Sequence, residues 1–173
     1  MTLIVSFLTA APSTQAKDKV QINGTIAVLP LPAPTSLKVD HSILNEISEI
    51  FSEFLLKKKL RVQSTAYLRE TLGEKDYSLD QLVREGKYLA IGNLAGTRYL
   101  LKVVILEWAE HRWFEHEGRI GLSAQILDAR TGDVLWSTSR GKTITVFENK
   151  SMVVHLKRMI KDMLEGIQPG KEY

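Results

Sequence analysis

The sequence predicts an α/β domain, an α+β sandwich in which a mixed β-sheet has helices packed on it, in the order β-α-β-α-α-β-β-β-α. Three observations predict it. A long apolar stripe at helical spacing follows a buried strand near the start of the chain. After Gly96 the texture changes to three runs rich in β-branched and aromatic residues, and a second amphipathic stripe closes the chain. With 173 residues, 44% of them hydrophobic and 25% charged, the chain has the composition of one globular domain with its own core.

"GTIAVLPL", Gly24 to Leu31, is an apolar, β-branched run closed by Pro30, Pro32 and Pro34, which reads as a buried strand running into an extended loop. In "SILNEISEIFSEFLLKKK", Ile43, Leu44, Ile47, Ile50, Phe51, Phe54 and Leu55 recur at helical spacing. Glu46, Glu49 and Glu53 fall between them, and Glu53 faces Lys57 one turn on. The cations Lys57, Lys58, Lys59 and Arg61 then meet the negative end of the helix dipole. "LRVQS" is a short strand. "AYLRETLG", ended by Gly73, "SLDQLVREG", opened by the capping pair Ser78 and Gln81 and stopped at Gly86, and "KYLAIGNLAG", stopped at Gly96, each read as a helix. "RYLLKVVILEW", "RIGLSAQIL" and "DVLWSTSRGKTITVF" predict three antiparallel strands with turns near Trp113–Gly118 and at Asp128–Asp133. "MVVHLKRMIKDMLEGI" is the final helix, its apolar face carrying Val153, Leu156, Ile160, Met163 and Leu164.

The polar cluster in "LDARTGDVLW" raises a choice between a binding loop and a turn. A calcium loop needs more oxygen ligands in close succession than Asp128, Thr131 and Asp133 supply. A phosphate loop leads into a helix, whereas here a strand follows. Asp128 can accept from backbone amides ahead of it and Gly132 can take a left-handed conformation, so the cluster reads as a structural hairpin turn.

"ILDARTGDVLWSTSRGKT" resembles the strand–turn–strand signature of envelope proteins related to the curli-secretion lipoprotein CsgG, a fold shared with small lipoproteins and, more distantly, with the amino-terminal domain of TolB. "YLAIGNLAGTRYLLKVVI" is similar to the family's helix–strand junction, and "GTIAVLPL" with the long helix after it to its first strand and helix. The resemblance covers Gly24 to Thr145 in order. It departs from the family at Thr97-Arg98, where Ala-Asp is usual, and in lacking the long hairpins with which CsgG lines a membrane pore. The resemblance implies a TolB-amino-terminal-domain-like periplasmic domain that binds other envelope proteins, forms homo-oligomers, and sits peripherally at the outer membrane rather than spanning it.

Composition removes several other classes. No cysteine is present, so disulfides, thiolate metal sites and cysteine nucleophiles are all excluded within this sequence, as is a lipid-bearing cysteine. A net charge of +3 with scattered cations gives no basic, aromatic stripe, so nucleic acid is not an expected partner; a cytosolic RNA-binding module is one alternative reading. Walker, Gly-x-Gly-x-x-Gly and Gly-x-Ser-x-Gly motifs are missing. The reading is therefore a protein that is not an enzyme and has no cofactor.

The stretch with most chemistry is "EWAEHRWFEHEG". His111 and His116 with Glu107 and Glu115 offer two imidazoles and carboxylates, which makes a metal-binding protein the other alternative. The spacing matches no zinc-protease motif, and Arg112 and Arg119 can neutralise the glutamates. Trp108, Arg112, Trp113 and Phe114 favour an interaction surface, since aromatic residues and arginine dominate interface energetics. The apolar run Leu3–Ala11, followed by small residues to Ala16, gives residues 1–16 the look of a secretory signal peptide or a remnant of one that has lost its basic start. Residues 17–168 then form the single domain and 169–173 a tail.

Overall fold

The computed structural model describes residues 19–32, 37, 39–110, 117–145 and 152–170. The fold is α+β. A five-stranded mixed sheet has the order β3-β2-β4-β5-β6, formed by β2 (Thr25–Val28), β3 (Arg61–Gln63), β4 (Tyr99–Glu110), β5 (Glu117–Asp128) and β6 (Val134–Thr145). β3 and β4 flank β2 in parallel, and β4, β5 and β6 form an antiparallel meander. β2 is short and, after Thr25, apolar, as a strand buried on both faces requires: Ile26, Ala27 and Val28 have no exposed surface.

Alternation along β2 and β4 distributes their side chains to two cores. Ile26 and Val28, with Tyr99, Leu101, Val103 and Ile105, face α1 (His41–Lys57) and α5 (Met152–Met163). Ala27 and Leu100 face the other way, against α2 (Thr65–Gly73), α3 (Leu79–Arg84) and α4 (Tyr88–Ala95). Helices therefore lie on both faces of the sheet. The stripe of α1 is buried as its spacing predicts, with Phe51 and Leu55 fully enclosed.

Two differences from the expected order are plain. Three helices separate β3 from β4 at the three segments that the sequence reads as ended by Gly73, Gly86 and Gly96, one more than the order β-α-β-α-α-β-β-β-α counts. A second sheet of two strands was not foreseen: β1 (Val20–Ile22) pairs in parallel with β7 (Ile167–Pro169). α5 stops at Met163, a 3-10 turn spans Leu164–Gly166, and Ile167 enters β7 rather than extending the helix. Three-residue strands carry too few positions to show a period, and their partner lies at the far end of the chain.

Candidate functional site

The hairpin of β4 and β5 holds the surface that the sequence singles out. Toward the end where β4 finishes and β5 begins, a β-bulge between Ile105 and Glu107 shifts the register. The extra residue, Leu106, is left 57% exposed, and Trp108 returns to the core face, opposite Ile120. Trp108 is half-buried and packs on the core shared with α1 and α5. Glu107 is exposed, and its Oε1 lies 3.5 Å from Arg119 Nη1. His111, Arg112, Trp113, Phe114, Glu115 and His116 fall outside the described residues. Among the described residues no group of three or more histidine, aspartate or glutamate side chains is placed to hold a metal ion.

The Asp128–Asp133 segment joins β5 to β6. Asp128 Oδ1 accepts from the Arg130 N–H at 2.9 Å, its carbonyl accepts from the Gly132 N–H at 2.8 Å, and its own N–H donates to Asp133 O at 2.9 Å. Gly132 has φ +78°, the left-handed value that glycine tolerates, and Thr131 Oγ1 accepts from the Asp133 N–H. Arg98 Nε donates to Asp128 Oδ2 at 2.9 Å. That guanidinium, and then the Arg130 amide, hold the Asp128 carboxyl below its ordinary range. Thr97 and Arg98 thus each have a structural use. Arg98 braces the turn, and Thr97 Oγ1 donates to Thr25 O, tying the start of β4 to β2.

β6 is an outer strand of the sheet, twelve residues long. Alternate N–H and C=O groups of such a strand point away from its neighbour, and they form an array that another strand can extend. Ser139, Arg140, Gly141, Lys142 and Thr143 are exposed along it. Arg140 and Lys142 share the face that Trp136 and Ile144 bury, where α5 only partly covers the strand; Lys142 Nζ lies 3.3 Å from His155 Nδ1 on that helix. Arg140 and Lys142 were missed by sequence reasoning, although two cations spaced two apart in a strand that also buries Trp136 are a visible signal of an outer strand.

No protein-family model matches the chain, and no curated protein matches it in sequence. Solved structures do match it. The PelC dodecamer from Paraburkholderia phytofirmans is similar with a TM-score of 0.62 at 15% identity, over 88% of this chain and 93% of that one. Lipoprotein GNA1162 from Neisseria meningitidis gives 0.63 at 15% identity, over 82% and 95%. The LpoB C-terminal domain from Escherichia coli gives 0.52 at 16% identity, over 71% and 84%. The chain therefore has the fold of these bacterial proteins, a lipoprotein and a dodecamer among them.

Proposed function

We propose that the chain is a non-catalytic protein of the periplasm that works by binding other envelope proteins, as an assembly or accessory factor at the inner face of the outer membrane. The observation that carries this reading is the fold, shared nearly end to end with the PelC dodecamer and with a lipoprotein. The CsgG-like hairpin signature at Ile126–Thr143 supports the same compartment. Among the described residues no helix is long and apolar enough to cross a membrane, so attachment in this reading is peripheral.

Contact is assigned to the end of the sheet where β4 finishes and β5 begins, together with the outer edge of β6. The β6 edge supplies backbone hydrogen bonds, and Trp108 anchors the turn end of the hairpin. On sequence grounds alone, Arg112, Trp113 and Phe114 belong to the same surface. A homo-oligomer built through it is the form that the PelC dodecamer suggests.

Cell fractionation with intact-mass measurement of the native protein tests the reading. The expected product is periplasmic and begins near Lys17, or comes from a longer precursor processed at an upstream cysteine. A cytosolic protein retaining Met1 or Thr2 would overturn it. Photocrosslinkers at Ser139 and Thr143 are then expected to capture a copy of the chain or an envelope protein.

A further inference from the structure

β2 and β3 are adjacent and parallel, yet the helices that follow them leave to opposite faces of the sheet. α1 follows β2 on one face, and α2 follows β3 on the other. Where neighbouring connections diverge in this way, a crevice opens beyond the carboxyl ends of the strands, and open α/β sheets bind small ligands there. In this chain it is a cavity of about 390 Å³ between Pro30–Pro32 after β2, the first turns of α1, Arg69 in the middle of α2, and α3 from Asp80 to Arg84. Ligand pockets span roughly 300–1,000 Å³.

Among the polar groups around the cavity, Arg69 and Arg84 are cations and Asp80 an anion. His41 and Asn45 come from α1, Arg69 from α2, and Asp80 and Arg84 from α3. Arg69 is held in place from two sides. Its Nε and Nη2 donate to Asp80 Oδ2 and Oδ1 at 3.2 and 3.1 Å, and its Nη1 lies 3.4 Å from Asn45 Oδ1. Asp80, the one carboxylate among the described lining residues, is therefore matched by Arg69, and Arg84 is the second cation of the lining. The apolar part of the wall is Leu31, Leu44 and Val83, of which Leu31 and Leu44 are buried.

We propose that this crevice binds a small organic anion. Its carboxylate or phosphate group would face Arg84 and Arg69, and its apolar part would lie on Leu31, Leu44 and Val83. This site lies apart from the β4–β6 surface, so the inference goes beyond the interaction reading and stands or falls separately from it.

Amide chemical shifts of the full chain, titrated with phenyl phosphate and with benzoate, test the proposal. At least one of these probes is expected to give saturable shifts at Leu31, His41, Asn45, Arg69 and Arg84, while the neutral benzyl alcohol gives none. Arg84 makes no side-chain bond that the fold needs, so Arg84→Ala keeps the spectrum of the folded chain. That variant is expected to weaken binding about tenfold, the scale of one charge-assisted hydrogen bond. Absence of saturable shifts with both probes through millimolar concentrations overturns the proposal. Equal shifts with benzyl alcohol, or undiminished binding in Arg84→Ala, also overturn it. Inorganic phosphate binding as tightly as phenyl phosphate would leave a bare-anion site and overturn its organic part.

Discussion

Asp128 is buried, yet it carries a charge that the surrounding donors stabilise. Arg98 and the Arg130 amide lower its pKa in the folded chain relative to the unfolded chain. The stability this contributes is fully present above the unfolded value, about 3.9 for aspartate, and is lost as pH falls through the lower folded value. Wild type should therefore exceed Asp128→Asn in urea midpoint at neutral pH, with the gap closing in acid; a gap independent of pH would refute the coupling. Gly92 makes a second demand at this scale. A Cβ built on it would stand 2.5 Å from Ala129 Cβ and 3.0 Å from Thr97 O, so α4 lies against the Asp128 turn only because the side chain is missing. Overpacking costs about 1–3 kcal/mol, against up to about 1 kcal/mol that alanine gains over glycine in a helix. Gly92→Ala is expected to lower unfolding free energy by about 1–2 kcal/mol in a denaturant titration.

Among the elements, α1 ends in a Schellman motif built on the wrong residue for comfort. The Leu60 N–H reaches Leu55 O and the Lys59 N–H reaches Leu56 O, with Lys59 left-handed at φ +64°. Glycine is the usual occupant, and an L side chain there costs about 1–2 kcal/mol. Lys59→Gly should raise stability by about 0.5–1 kcal/mol after the added freedom of the unfolded chain is subtracted, measurable as a higher urea midpoint. α1 and the meander were the most legible parts of the sequence, because Ile43 to Leu55 repeat with the helical period and Leu101, Val103 and Ile105 alternate. The bulge in β4 was legible in principle: the inward set Val103, Ile105 resumes at Trp108, one residue out of phase. The crevice was not. Its lining comes from four separate segments between Pro30 and Arg84, and no spacing rule joins them before the sheet is ordered.

At the scale of the whole molecule, the two-stranded sheet fastens the beginning of the described fold to its end. Val20 pairs with Ile167 and Ile22 with Pro169, and Ile167 is fully buried in the core shared by α1 and α5. Ile167→Ala is expected to destabilise the entire domain, by about 2–5 kcal/mol, as a single cooperative transition seen by both circular dichroism and tryptophan fluorescence. Sequence reading missed this fastening because the information is divided between VQI and IQP, each meaningless without the other. The pairing being parallel has a mechanical consequence. A tether pulling on the chain before Lys19 and a load pulling after Gly170 draw along the strand axis in opposite directions, so β1 and β7 slide past each other instead of peeling apart. Their hydrogen bonds, with that from the Gly170 N–H to Ile22 O, must then yield together, and a chain held at one end and loaded at the other grips in shear.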